Sequence, residues 1–201
     1  MIDMKYLNED SLYTILVSKF GDDKVTRQYK LGKKRVDFLV KGILLPDKTS
    51  IGDIAVEFDG AAHYQKESQI YRDIEVHIEL MKQDIHVIHI PYFVQSSFAL
   101  PFYFNDGDLE SFHVDKELLQ YPNGFIDKKC IHPIDFSVLG WHRFVYEKSG
   151  YPTPIRESIN ETMTELELNI YSVISNDKLI KNCDFNLMYD EIEWMTDCLW
   201  G

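Results

Sequence analysis

The sequence predicts a mixed α/β fold, a β-sheet with at least one parallel pair flanked by helices. Apolar residues recur at three- to four-residue spacing in 10–20 and again in 68–83. Short β-prone runs occupy 25–29, 35–40, 53–59 and 85–90. The last two of these runs are separated by a helical segment, and a strand–crossover–strand order places its two strands parallel.

Each element has a local reason. In 10–20, Leu12, Ile15, Leu16 and Phe20 share one helical face behind Asn8 or Asp10 as a cap, and Gly21 ends the helix. The runs 25–29 and 35–40 are joined by a turn containing Gly32, and Val36, Phe38 and Val40 alternate with Asp37 and Leu39, so a hairpin is expected. Residues 46–52 read as a turn-rich connection, and 53–59 as a strand with acids at its C-terminal end that breaks at Gly60. Ile70, Tyr71, Ile74, Ile78 and Met81 follow helical spacing, and 85–90 returns to a strand that stops at Pro91. From 92 to about 150 the sequence is aromatic and punctuated by Pro and Gly, with no clear period. Pro152 and Pro154 then precede Ile155, Ile159, Met163, Leu166, Ile170 and Val173, an amphipathic helix whose apolar stripe suits packing within the chain or a symmetric dimer. The shift of composition divides the chain into an α/β core, 1–97, and an acidic C-terminal region, 98–201.

Composition narrows the function. With 45% hydrophobic and 27% charged residues in 201, the chain has the balance of a folded globular protein. No run approaches the roughly 18 apolar residues of a membrane helix, and acids stand near the N-terminus where a signal peptide needs an apolar stretch, so a cytoplasmic protein is expected. Cys130, Cys183 and Cys198 form no C-x-x-C pair and read as free thiols. Cys130, His132, His142 and Cys183 lack zinc-like spacing. The net charge of −12 is uneven: residues 1–100 carry 13 basic and 15 acidic residues, and 101–201 carry 8 and 18. Such acidity argues against a sequence-indifferent nucleic-acid coater. Residues 19–41 nevertheless hold eight cations against three acids, a local basic patch that could face phosphates.

Asp37, Glu57 and Asp59 are the informative residues. In Val36-Asp37-Phe38 and Val56-Glu57-Phe58-Asp59 the acids take one side of each strand and the hydrophobic residues the other. Converging carboxylates repel one another unless a divalent cation neutralises them, and an oxygen-rich set suits Mg²⁺ or Mn²⁺. The same pattern also describes a sheet with one solvated face that ends in an Asp59-Gly60 turn.

Helix, strand pair with Asp, acidic strand, helix and strand resemble the restriction-endonuclease-like superfamily, known by its PD-(D/E)XK signature. Arg35-Val-Asp37-Phe-Leu-Val matches the first acidic strand, and Ile54-Ala-Val-Glu57-Phe-Asp59-Gly60-Ala-Ala-His63 the second. Within that superfamily the chain is similar to the very-short-patch-repair-like nucleases and to the RAP domain, through Glu57-x-Asp59-Gly60-x-x-His63 and Val87-Ile-His-Ile-Pro91-Tyr92. The likeness spans roughly residues 9–93. It implies a metal-dependent endonuclease that hydrolyses phosphodiesters, in DNA ahead of RNA; a catalytically inactive module binding RNA or a protein partner is the alternative.

On this resemblance Asp37, Glu57 and the Phe58 carbonyl would hold Mg²⁺ or Mn²⁺, and Asp59 or His63 would orient or deprotonate water. The signature Lys is replaced by Asp59, with Lys66 and Arg72 the nearest substitutes. Val76 and His89 stand where such nucleases often carry Arg. Lys24, Arg27, Lys30, Lys33, Lys34 and Arg35, with Lys66 and Arg72, would hold the nucleic-acid backbone. Glu9, Asp73 and His63 also have plain structural readings: a helix-dipole acid, a solvated helix face and a loop histidine.

Overall fold

The computed structural model describes residues 7–44, 50–94, 124–125 and 133–165. In chain order these form α1 (Glu9–Phe20), β1 (Val25–Leu31), β2 (Lys34–Leu44), β3 (Ser50–Asp59), α2 (Ala62–Gln65), α3 (Glu67–Met81), β4 (His86–Pro91), a single 3₁₀ turn (Pro133–Asp135), α4 (Val138–Gly150) and α5 (Thr153–Glu165). The chain divides into two compact units, Met1–Asp59 with Ile78–Pro122 and Gly60–His77 with Asn123–Gly201.

The first unit carries the sheet, in the order β1-β2-β3-β4. β1 to β3 are antiparallel neighbours, and β3 pairs parallel with β4, Val56 opposite Ile88 and Glu57 opposite His89. A mixed sheet with helices is therefore present, as the pattern predicts. The hairpin closes through Gly32 and Lys33, with Gly32 at φ +60°, the positive value that a Gly-first two-residue turn requires. The sequence places a turn at 46–52; residues 45–49 lie outside the described residues, while Ser50 already belongs to β3 and Gly52 pairs with Ile43. A register shift between Val40 and Ile43 lets Ile43 rejoin the buried side.

α1 begins in a reciprocal cap: Ser11 N–H donates to Asn8 Oδ1 at 2.9 Å, and Asn8 N–H donates to Ser11 Oγ at 2.9 Å. Such caps contribute about 1 kcal/mol. Its Leu12, Ile15 and Leu16 join Val25, Phe38, Val40, Ile54, Val56 and Ile90 in one apolar cluster. Phe38, Val40, Ile54 and Val56 thus take the core side of β2 and β3, and strict alternation turns Asp37 and Glu57 to the other.

The second unit is built around aromatic rings. Phe144 meets Phe125 at 5.7 Å, Phe136 at 5.8 Å and Trp141 at 5.5 Å, and Phe136 stacks on Tyr64 at 5.1 Å. Phe144 is fully buried in this cluster, and Trp141 packs on it half-buried. α4 starts on Ser137, whose Oγ accepts from Gly140 N–H at 3.0 Å and donates to the Tyr64 carbonyl at 3.2 Å. Gly140 is needed here, because a Cβ on it would lie 1.7 Å from the Tyr64 oxygen.

No apolar period marks α4 because its buried positions include Gly140, Arg143 and Glu147 beside Leu139 and Phe144. In α5, Ile155, Ile159 and Met163 are buried at the expected four-residue spacing. The remainder of that predicted helix, to Val173, lies outside the described residues, as do Cys130, His132, Cys183, Cys198 and the 98–104 aromatic run. Among the described residues no helix is long and apolar enough to cross a membrane.

Candidate active site

In the first unit, Phe38 opposite Val56 puts Asp37 and Glu57 across from each other on the opposite side of the sheet. Their backbones and carboxylates interlock. Phe58 N–H donates to Asp37 Oδ2 at 2.9 Å, and Asp37 N–H reaches Glu57 Oε2 at 3.4 Å. Asp37 thus caps a donor of β3 just beyond the last β2–β3 pair, where an interior strand residue could not. Phe58 itself pairs with Ile90 in the parallel ladder.

Two further acids bear on this pair. Burial pushes the Asp37 carboxyl above its ordinary value, the Phe58 hydrogen bond opposes that rise, and the charges of Glu9 and Asp59 reinforce it. Asp59 is fully buried at the end of β3, with Oδ2 2.9 Å from His89 Nδ1. Glu9, in the first turn of α1, accepts from Gln28 Nε2 at 2.9 Å, and the same amide lies 3.4 Å from Asp37 Oδ1. Gln28 has φ +49°, a left-handed value uncommon for a side-chain-bearing residue and especially so within a strand.

The second unit contains a buried polar network. The turn Gly60–Ala61 leads into α2, with His63 N–H donating to Gly60 O at 3.0 Å. His63 Nδ1 lies 2.7 Å from Asp73 Oδ2, which also accepts from Arg143 Nη1 at 2.9 Å. Gln69 Nε2 donates to the other Asp73 oxygen at 2.9 Å. Arg143 Nε donates to Glu147 at 2.8 Å, and Tyr64 Oη donates to Glu147 at 2.6 Å. The Arg143 side chain is 0% exposed and lies over the Tyr64 ring at 4.9 Å.

Asp73, expected on a solvated helix face, is instead buried at 7%. Its donor Gln69 on α3 is four residues away and its donor Arg143 on α4 is seventy, and no local pattern shows the second. Asp73 is the member of this network that sequence reasoning left out of the candidate site.

The expected phosphate-binding residues have unequal surroundings. Lys30, Lys33, Arg35, Lys66 and Arg72 are exposed, and Lys24 and Lys34 are partly so. Arg27 is also at the surface, but its guanidinium pairs with Asp10 at 2.7 Å and Glu9 at 3.4 Å and lies 4.8 Å from the Tyr13 ring. Lys33 and Arg35 flank the hairpin turn. Lys66 caps α2, and Arg72 lies one residue before Asp73 on the exposed side of α3.

No family model, curated protein or solved structure matches the chain.

Proposed function

We propose that the chain is a metal-dependent endonuclease of the restriction-endonuclease-like superfamily, hydrolysing phosphodiesters in DNA ahead of RNA. The observation that carries this reading is the pairing of Asp37 and Glu57 on adjacent strands, with a carboxyl pushed up by burial and by neighbouring acids. Converging carboxylates, whose charge burial and mutual repulsion disfavour, suit a divalent cation. Asp37, Glu57 and the Phe58 carbonyl would hold Mg²⁺ or Mn²⁺.

When bound, the cation supplies a water of lowered pKa and polarises a phosphoryl oxygen. The protein's own residues do the rest. Asp37 and Glu57 fix the carboxylate frame, and His63 or Asp59 takes the proton of the attacking water. Lys24, Lys30, Lys33, Lys34 and Arg35, with Lys66 and Arg72, hold the substrate backbone, to which Arg27 contributes only on leaving Asp10 and Glu9.

One observation favours a second reading, a non-catalytic module that binds RNA or a protein. The position of the signature lysine is occupied by the buried Asp59, engaged by His89. Cleavage of plasmid, single-stranded DNA and RNA with Mg²⁺ or Mn²⁺, beside Glu57→Gln, separates the two. Metal-dependent cleavage that disappears in the variant is expected; an intact fold that neither cleaves nor binds Mn²⁺ by calorimetry leaves the module. Dimerisation through the second half belongs to the same proposal, and a monomer at high concentration by light scattering removes it.

A further inference from the structure

We propose that Arg143, on α4, is a positioning residue that sets the tautomer of His63 through Asp73. The inference rests on the reading of His63 as the group that takes water's proton. The lysine missing from the signature leaves a place for a cation, but Arg143 does not fill it in the usual sense: at 0% exposure its guanidinium cannot touch a phosphate. Its action must pass through its partners.

Those partners fix the protons. Three groups surround Asp73: Gln69 Nε2 and Arg143 Nη1 are donors only, and His63 Nδ1 is the third. Gln69 and Arg143 already use both Asp73 oxygens as acceptors, and Arg143 and His63 meet the same one, Oδ2. The 2.7 Å contact is therefore a further hydrogen bond accepted by that carboxylate, and the proton in it belongs to His63 Nδ1. In that tautomer the lone pair lies on Nε2, the nitrogen suited to act as a base.

Arg143 is itself held in place. Glu147 takes its Nε–H at 2.8 Å, Tyr64 Oη ties Glu147 at 2.6 Å, and the Tyr64 ring lies beneath the guanidinium. Asp73 therefore meets a donor that cannot swing away. Without Arg143, Oδ2 loses one of its two donors, and the carboxylate can rotate off the imidazole.

The test uses the full chain labelled with ¹⁵N-histidine and free of added metal, at a pH where His63 is neutral. Long-range ¹H–¹⁵N spectra, assigned with His63→Gln, report which ring nitrogen carries the proton. A single Nδ1–H form is expected in the wild type, replaced in Arg143→Met by the Nε2–H form or a mixture. An Nε2–H wild type, or a folded Arg143→Met with the wild-type spectrum, overturns the inference. Should Arg143→Met fail to fold, a second wild-type sample labelled with ¹⁵N-arginine decides through its Arg143 Nη signals: hindered rotation supports the clamp, and free rotation overturns it.

Cleavage is scored beside the spectra, with a loss of about 10²-fold or more expected in folded Arg143→Met, the usual range for a displaced general base. Wild-type cleavage undiminished in that variant overturns the positioning role and leaves the nuclease reading standing. The expected tautomers in a chain that cleaves nothing leave the role of Arg143 and remove the nuclease reading.

Discussion

The Asp37–Glu57 pair and the His63–Asp73–Arg143–Glu147 network solve the burial of charge in opposite ways. The strand pair brings carboxylates together beside the Phe58 N–H and the Gln28 amide, and burial, reinforced by neighbouring acids, pushes Asp37 up. The helix network interleaves a guanidinium with its acids, at 2.9 Å and 2.8 Å, and closes around it with Tyr64. On the proposed reading a divalent cation would stabilise the first, whereas loss of the guanidinium would break the second. Removing a charge should therefore have opposite signs in the two places.

The largest effect is expected at Arg143. Arg143→Met leaves Asp73 and Glu147 buried without their cation, and breaking a buried pair in this way costs about 3–5 kcal/mol. Urea unfolding should show that loss, and a change below about 1 kcal/mol would mean that water or rearrangement replaces the guanidinium. Gly140→Ala attacks the same helix sterically. Its Cβ would meet the Tyr64 carbonyl at 1.7 Å, and since backbone must yield, a loss of about 1–3 kcal/mol or more is expected. Thermal unfolding of this variant near the wild-type midpoint would show that α4 can shift without cost.

These two effects also mark what a sequence conceals. Asp37 and Glu57 were legible because a strand repeats every two residues, so a few residues of alternation place an acid on a face. The hairpin, β3, α3 and β4 follow from equally local patterns. α4 does not, because the stripe it buries carries Arg143 and Glu147, which an apolar period excludes. Asp73 looked like a surface acid for the same reason: its partner Arg143 is seventy residues away, and nothing near either residue announces the pair. Gln28 is another case. Its position opposite the acidic strand can be read from the hairpin register, but its left-handed backbone and its bridge to Glu9 depend on where α1 packs.

At Asp37 the sign reverses. A carboxyl whose folded-state pKa lies above its unfolded value carries no penalty at low pH, where both states hold the proton. The penalty grows as pH rises through the carboxylate range and is complete above the folded value. Asp37→Asn, which keeps an oxygen for Phe58 N–H, should therefore be more stable than the wild type at neutral pH with chelator present, by less than either loss above. The advantage should vanish as the solution is acidified. A variant less stable at pH 7 would show that the Phe58 and Glu57 hydrogen bonds outweigh burial. In either case Mn²⁺ should stabilise the wild type and not the variant, by mass action on a site only one of them retains.

The smallest effect on folding, and the clearest on binding, belongs to neither cluster. Lys33 and Arg35 are exposed and Lys34 is partly so, all at or beside the hairpin turn, where side chains contribute little to the core. Lys33, Lys34 and Arg35 changed together to Ala should leave unfolding within about 0.5 kcal/mol of the wild type. Their effect appears where phosphate is the partner. A cation that neutralises a phosphate releases about one counterion, so the slope of log K against log salt should flatten by about 1 for each of the three that reaches the backbone. Fluorescence anisotropy with a labelled duplex across a salt series measures both the affinity and the slope. Weaker binding with a flatter slope assigns the hairpin to the nucleic-acid track. Unchanged binding moves that track to Lys66 and Arg72, because the C-terminal residues 101–201, with 8 basic and 18 acidic residues, repel phosphate.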